Sequence, residues 1–160
     1  MNNTDMKEKA PTAQAKKDPA VAMGCEMYKN LNMSSDAVMH LLPKVTDERI
    51  KSAMSASLCF YEKTAGKVKE VLGDHCVKAQ EENPMNKMMA RMGITMNTLM
   101  DATDSHIAQM IIEGSTMSIT EATKLRNDYR GKPGCDDLVS IADEILRFED
   151  EHIQKMKQFL

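Results

Sequence analysis

The 160-residue sequence has no tryptophan, three tyrosines and three phenylalanines, and few helix breakers, with seven glycines and five prolines. Sheets favour aromatic and β-branched residues, so this scarcity argues against a strand-built core. The low glycine and proline content leaves long stretches free to wind into helix. The four cysteines, Cys25, Cys59, Cys76 and Cys135, contain no C-x-x-C pair, which removes a zinc ribbon and a thioredoxin-type site. With neither a disulfide framework nor a secretory leader, the expected compartment is the cytoplasm. A formal net charge of −3 offers no basic excess for nucleic acid or anionic lipid. No run approaches the length of a membrane span, so a soluble chain is expected. Gly-rich phosphate loops, a G-x-S-x-G elbow and a Cys/His dyad are also missing, which leaves nucleotide and nucleophilic chemistry without support.

What is present is methionine, sixteen in all, and apolar residues spaced by threes and fours. Residues 1–18 are polar and predict a disordered tail. Helix 1 should begin at Asp18-Pro19, a cap followed by proline at the first helical position, and stop before Pro43. Its stripe is Val21, Gly24, Tyr28, Leu31, Ser35, Val38 and Leu42. Helix 2 opens at Thr46-Asp47-Glu48, where acidic groups suit the helix dipole. It presents Ile50, Met54, Leu58, Tyr61, Ala65, Val68 and Leu72 inward, with Glu62 bordering that face. Gly73-Asp74 is the expected end, although the pattern could run on through His75 toward Glu82.

Helix 3 is predicted from Thr103-Asp104 to about Tyr129, with Ile107, Met110, Ile111, Gly114, Met117, Ser118, Glu121 and Leu125 facing inward. Gly131-Lys132-Pro133-Gly134 is a tight turn, which makes helices 3 and 4 antiparallel neighbours. Helix 4 carries the clearest pattern: Leu138, Ala142, Ile145, Met156 and Phe159 draw one stripe, completed by Glu149 and His152. A carboxylate and an imidazole one turn apart on a buried face are what a bundle core needs to hold a metal ion.

Between helices 2 and 3, Asn83-Pro84 is a firm break, and the connector of about residues 83–102 holds Met85, Met88, Met89, Met92, Met96 and Met100. The foremost reading is that flexible thioethers fill the seam where a connector lies across a bundle. A Met-lined groove for a partner helix at Met88, Met92, Met96 and Met100, and a soft Cu(I) site, are the alternatives.

Four helices joined by short, long and short connections resemble the ferritin-like four-helix bundles over residues 19–160, in which one long crossover makes the second and third helices parallel. The resemblance implies an all-α fold of that kind and a di-metal site built from two single glutamates and two Glu-x-x-His motifs. Helix 4 supplies one complete motif in Glu149 and His152. Helix 2 supplies Glu62, with Ala65 where a histidine would follow, and helix 3 offers Glu113 or Glu121. Helix 1 has no acid in the middle of its inner stripe, so the motif is incomplete. Such a set suits iron, manganese or zinc.

Three functions follow as expectations: a ferritin-like protein handling metal or oxidant through that site, a non-catalytic interaction or structural module, and a Cu(I) carrier using the methionines. A true oxidase would show both Glu-x-x-His motifs, so enzyme activity is not expected. A homo-oligomer is a further expectation, since helix 1 is weakly apolar and the connector strongly so.

Overall fold

A computed structural model describes residues 18–73 and 102–160, and within them the chain is helical and forms no strand. Four α-helices lie among the described residues: α1 (Pro19–Leu41), α2 (Glu48–Leu72), α3 (Asp104–Tyr129) and α4 (Asp136–Met156). Their starts are set by side chains that take up free backbone N–H groups. Asp18 accepts from the Ala20 N–H, Asp47 from Arg49 and Thr103 from His106. Helix α2 stops at Gly73, whose φ of 54° suits a residue without a Cβ. The continuation toward Glu82 and the Met-rich connector both lie outside the described residues.

The packing pairs α1 with α2 and α3 with α4, then sets α1 beside α3 and α2 beside α4. The ends fix the directions. Asp104, in the first turn of α3, accepts from the N–H groups of Thr46 and Asp47 at the start of α2, at 2.8 and 2.7 Å. The Thr46 hydroxyl adds a third bond at 2.6 Å. Helices α2 and α3 therefore start at the same end. At the other end, a Cβ at Gly134, just before α4, would lie 3.4 Å from that of Ala20, at the start of α1. Arg49 lies over the Phe159 ring at 5.1 Å, bringing the end of α4 back to the start of α2.

The buried stripes follow the sequence pattern closely in α2 and α4, but differ in the other two helices. In α1 the buried set widens to include Met23, Met27, Ala37 and Leu41, while Tyr28 and Leu42 are only half-buried. In α3 the inner face turns by one position after Ile111. Ser115 and Ala122 are buried, whereas Gly114, Met117, Ser118, Glu121 and Leu125 are half-buried. That rotation brings hydroxyls toward α4, where a polar group needs them.

Candidate functional site

Helix α4 carries the polar centre of the core. Glu149 is fully buried and His152 is 3% exposed, on the same face as Leu138, Ala142, Ile145 and Met156. A carboxyl group removed from water must find hydrogen-bond partners or lose its charge. Glu149 finds hydroxyls on two neighbouring helices. Tyr61 from α2 donates to Oε1 at 3.0 Å, with Oε2 at 3.2 Å, and the Ser115 and Ser118 hydroxyls of α3 favour the charged form of the same carboxyl. Burial raises the Glu149 pKa above its ordinary value, against the lowering effect of those hydroxyls. Burial also raises the Tyr61 phenol well above its usual range, and the Glu149 charge adds to it. The carboxyl–hydroxyl cluster is thus biased toward its protonated forms.

His152 sits one turn further along α4. Burial lowers its pKa to about 4, with the nearby Lys155 charge acting in the same direction. The imidazole is therefore neutral at ordinary pH. Its ring lies 5.6 Å from Phe148, which stacks on Phe60 of α2 at 3.8 Å. Its Nε2 is buried without a hydrogen-bond partner. Ser57 and Thr64 of α2 and Ser35 of α1 are also buried. Ser57 returns its hydroxyl to the Met54 carbonyl at 2.7 Å, so it asks nothing of its neighbours.

The other acids expected at a metal centre lie elsewhere. Glu62 is exposed on α2, one position past Tyr61. Glu113 is exposed and accepts from the Gln109 side chain at 3.0 Å. Glu121 is half-buried, 3.3 Å from Lys124 Nζ. It lines a cavity of about 40 Å³ between α1 and α3 with Asn30, Met33, Ser34, Gly114, Met117 and Ser118. The groups that act on the Glu149 carboxyl from α3 are the serines between the two candidates, Ser115 and Ser118. Among the described residues no group of three or more His, Cys, Asp or Glu side chains could hold a metal ion. The donor set therefore does not fit a di-metal centre, because hydroxyls take the places where carboxylates were expected.

Sequence reasoning missed Tyr61, Ser115 and Ser118 as the partners of Glu149. A second stripe in α3, Ile107, Ile111, Ser115, Ser118, Ala122 and Leu125, was the available signal. Its hydroxyls fall where a buried acid on α4 would need donors.

No family model, no curated protein and no solved structure matches the chain. No helix among the described residues is long and apolar enough to cross a membrane.

Proposed function

We propose that the chain is a non-catalytic structural module: a ferritin-like bundle, with residues 74–101 as its long crossover, that uses the architecture without a di-metal centre. The observation that supports this is the Glu149 cluster, in which Tyr61, Ser115 and Ser118 meet the carboxyl from two other helices. A hydroxyl-capped acid binds three helices in one relative register, because a slip of either neighbour strands a buried polar group. The crossover is supported by the common end at which α2 and α3 start, marked by the Asp104 bonds to Thr46 and Asp47. The test is metal content of full-length protein purified without chelator or nickel resin, beside the Glu149→Ala/His152→Ala double variant. The expected result is iron, manganese and zinc far below one ion per chain in both samples.

A second reading, a single metal ion held at Glu149 and His152, is favoured by the buried His152 Nε2 that has no partner. Near-stoichiometric metal in the wild type, lost in the double variant, would establish it in place of the first. The Cu(I)-carrier reading rests on methionines outside the described residues, and silver or Cu(I) titration of the same sample tests it.

A further inference from the structure

A carboxyl with no exposed surface is cut off from solvent protons unless a group beside it reaches both the carboxyl and water. The hydroxyls that act on Glu149 differ in that respect. Tyr61 and Ser115 are buried, at 4% and 3% exposure, whereas Ser118 is half-buried. Ser115 and Ser118 stand one turn apart on α3, so the pair spans the boundary between core and surface.

Ser118 also lies where two cavities meet. The outer one, of about 40 Å³, is the cleft between α1 and α3, and every residue lining it is half-buried, which places it at the surface. The inner one, of about 20 Å³, is lined by the buried Met27 and Leu31 of α1, Ala122 of α3 and Ile145 of α4. Asn30 and Ser118 line both. Ile145 precedes Glu149 by one turn on the same face of α4, so the inner cavity reaches from the cleft to the neighbourhood of the carboxyl. A water needs about 10–15 Å³, so each cavity has room for one.

We propose that the α1/α3 cleft is the proton entrance to the core, with Ser118 relaying between Glu149 and water in the cleft. A hydroxyl can do this because it donates and accepts at once. The Glu149 carboxyl gives its proton to the Ser118 Oγ, which passes its own to a water, and uptake runs the same steps in reverse. Met27, Met33 and Met117, which form much of the walls, offer no such exchange. The titratable groups around the carboxyl are Tyr61 on α2 and His152 on α4. Helix α3 adds Glu121 at the cleft, 3.3 Å from Lys124, and α1 lines the cavities with groups that do not titrate. The charge of the buried acid then follows solvent pH without the bundle opening. This rests on the reading of Glu149 as a structural acid and adds what that acid exchanges with.

The experiment is rapid dilution of the full-length protein into D2O at mildly acidic pH, followed by infrared spectroscopy. The carbonyl band of protonated Glu149 is assigned by its loss in Glu149→Gln, and its shift on deuteration gives the exchange rate. Mass spectrometry follows the backbone amides of Ile145 and Glu149 alongside. Ser118→Thr and Ser118→Val have nearly the same shape and differ in the hydroxyl. Ser34→Leu fills the cleft from α1 while leaving Ser118 in place, and it decides the matter if circular dichroism shows that Ser118→Val has lost helix. The expected result is that wild type and Ser118→Thr exchange the carboxyl proton well ahead of those amides, while Ser118→Val and Ser34→Leu hold it until the amides exchange. Wild-type exchange no faster than the amides, fast exchange in a folded blocking variant, slow exchange in Ser118→Thr, or no band lost in Glu149→Gln would overturn the proposal. Metal content is measured on the same samples, so a failed route and a failed structural reading are told apart.

Discussion

The two long seams of the bundle are built differently, although both join helices that are not consecutive in the chain. Between α2 and α4, Phe60 stacks on Phe148, Tyr61 reaches Glu149, and Lys67 meets Glu144 at 2.6 Å. Between α1 and α3, small and flexible side chains leave a cavity lined by Asn30, Ser34, Gly114 and Met117, and the Asn30 Nδ2 is buried without a partner. One seam is specified by shape and hydrogen bonds, and the other is filled by adaptable groups. Aromatic pairs and a satisfied acid punish a change of register, whereas methionine and serine tolerate one. The specificity of the bundle is therefore concentrated on the α2/α4 side.

The sharpest way to break that contrast is to remove the acid. Glu149→Ala removes the acceptor from the buried Tyr61 hydroxyl and the carboxyl that the buried Ser115 and half-buried Ser118 face, and should cost about 3 kcal/mol. Glu149→Gln keeps an acceptor and should cost roughly half as much or less. Urea unfolding of the two variants checks the order. A larger loss for Gln than for Ala would show that the hydroxyls are not what holds the carboxyl.

The next effect is on pH. His152 has a folded pKa of about 4 against an ordinary 6.5. Its contribution is complete above 6.5 and is lost as pH falls toward 4, amounting to at most about 3 kcal/mol. Glu149 acts in the opposite sense. Its raised pKa makes its contribution complete below its ordinary 4.5 and diminishing as pH rises above that. Thermal unfolding from pH 4 to 8 should show His152→Phe flattening the acid limb and Glu149→Gln flattening the rise-dependent loss. An unchanged acid limb in His152→Phe would place the titrating group elsewhere.

The smallest effect belongs to the loose seam. Asn30→Leu replaces an unsatisfied amide with a side chain of similar size, and should change stability by less than about 1 kcal/mol, in the stabilising direction. A loss of several kcal/mol in chemical unfolding would show that the α1/α3 seam is as tightly specified as its counterpart.

The four helices were legible because their boundaries are written in local chemistry. Asp18 before Pro19, Asp47 before Glu48 and Thr103 before Asp104 all act as caps, and Pro43 and Gly73 mark stops. The burial of Glu149 and His152 was legible from the α4 stripe alone. Their surroundings were not. A stripe gives the period of a helix but not its phase, and α3 carries two overlapping stripes offset by one residue. Glu121 and Ser118 belong to one, and Ser115 and Ser118 to the other. The choice between them depends on α4, since a buried carboxyl facing α3 is better served by hydroxyl donors than by a second acid. The sequence pattern places Tyr61 in the core as an apolar residue, and its hydroxyl acquires a role only once α2 and α4 lie side by side.

Asp104 has a consequence for the integrity of the molecule. Its carboxylate belongs to α3 yet closes the start of α2, so the second hairpin is clasped to the turn of the first by three hydrogen bonds. Together with the seams, this clasp joins the two halves through contacts that do not require an unbroken chain. Cleavage of a peptide bond between residues 74 and 101 would then yield two fragments that remain one particle. The bundle is in that sense a dimer of unlike hairpins that happens to be encoded in one chain.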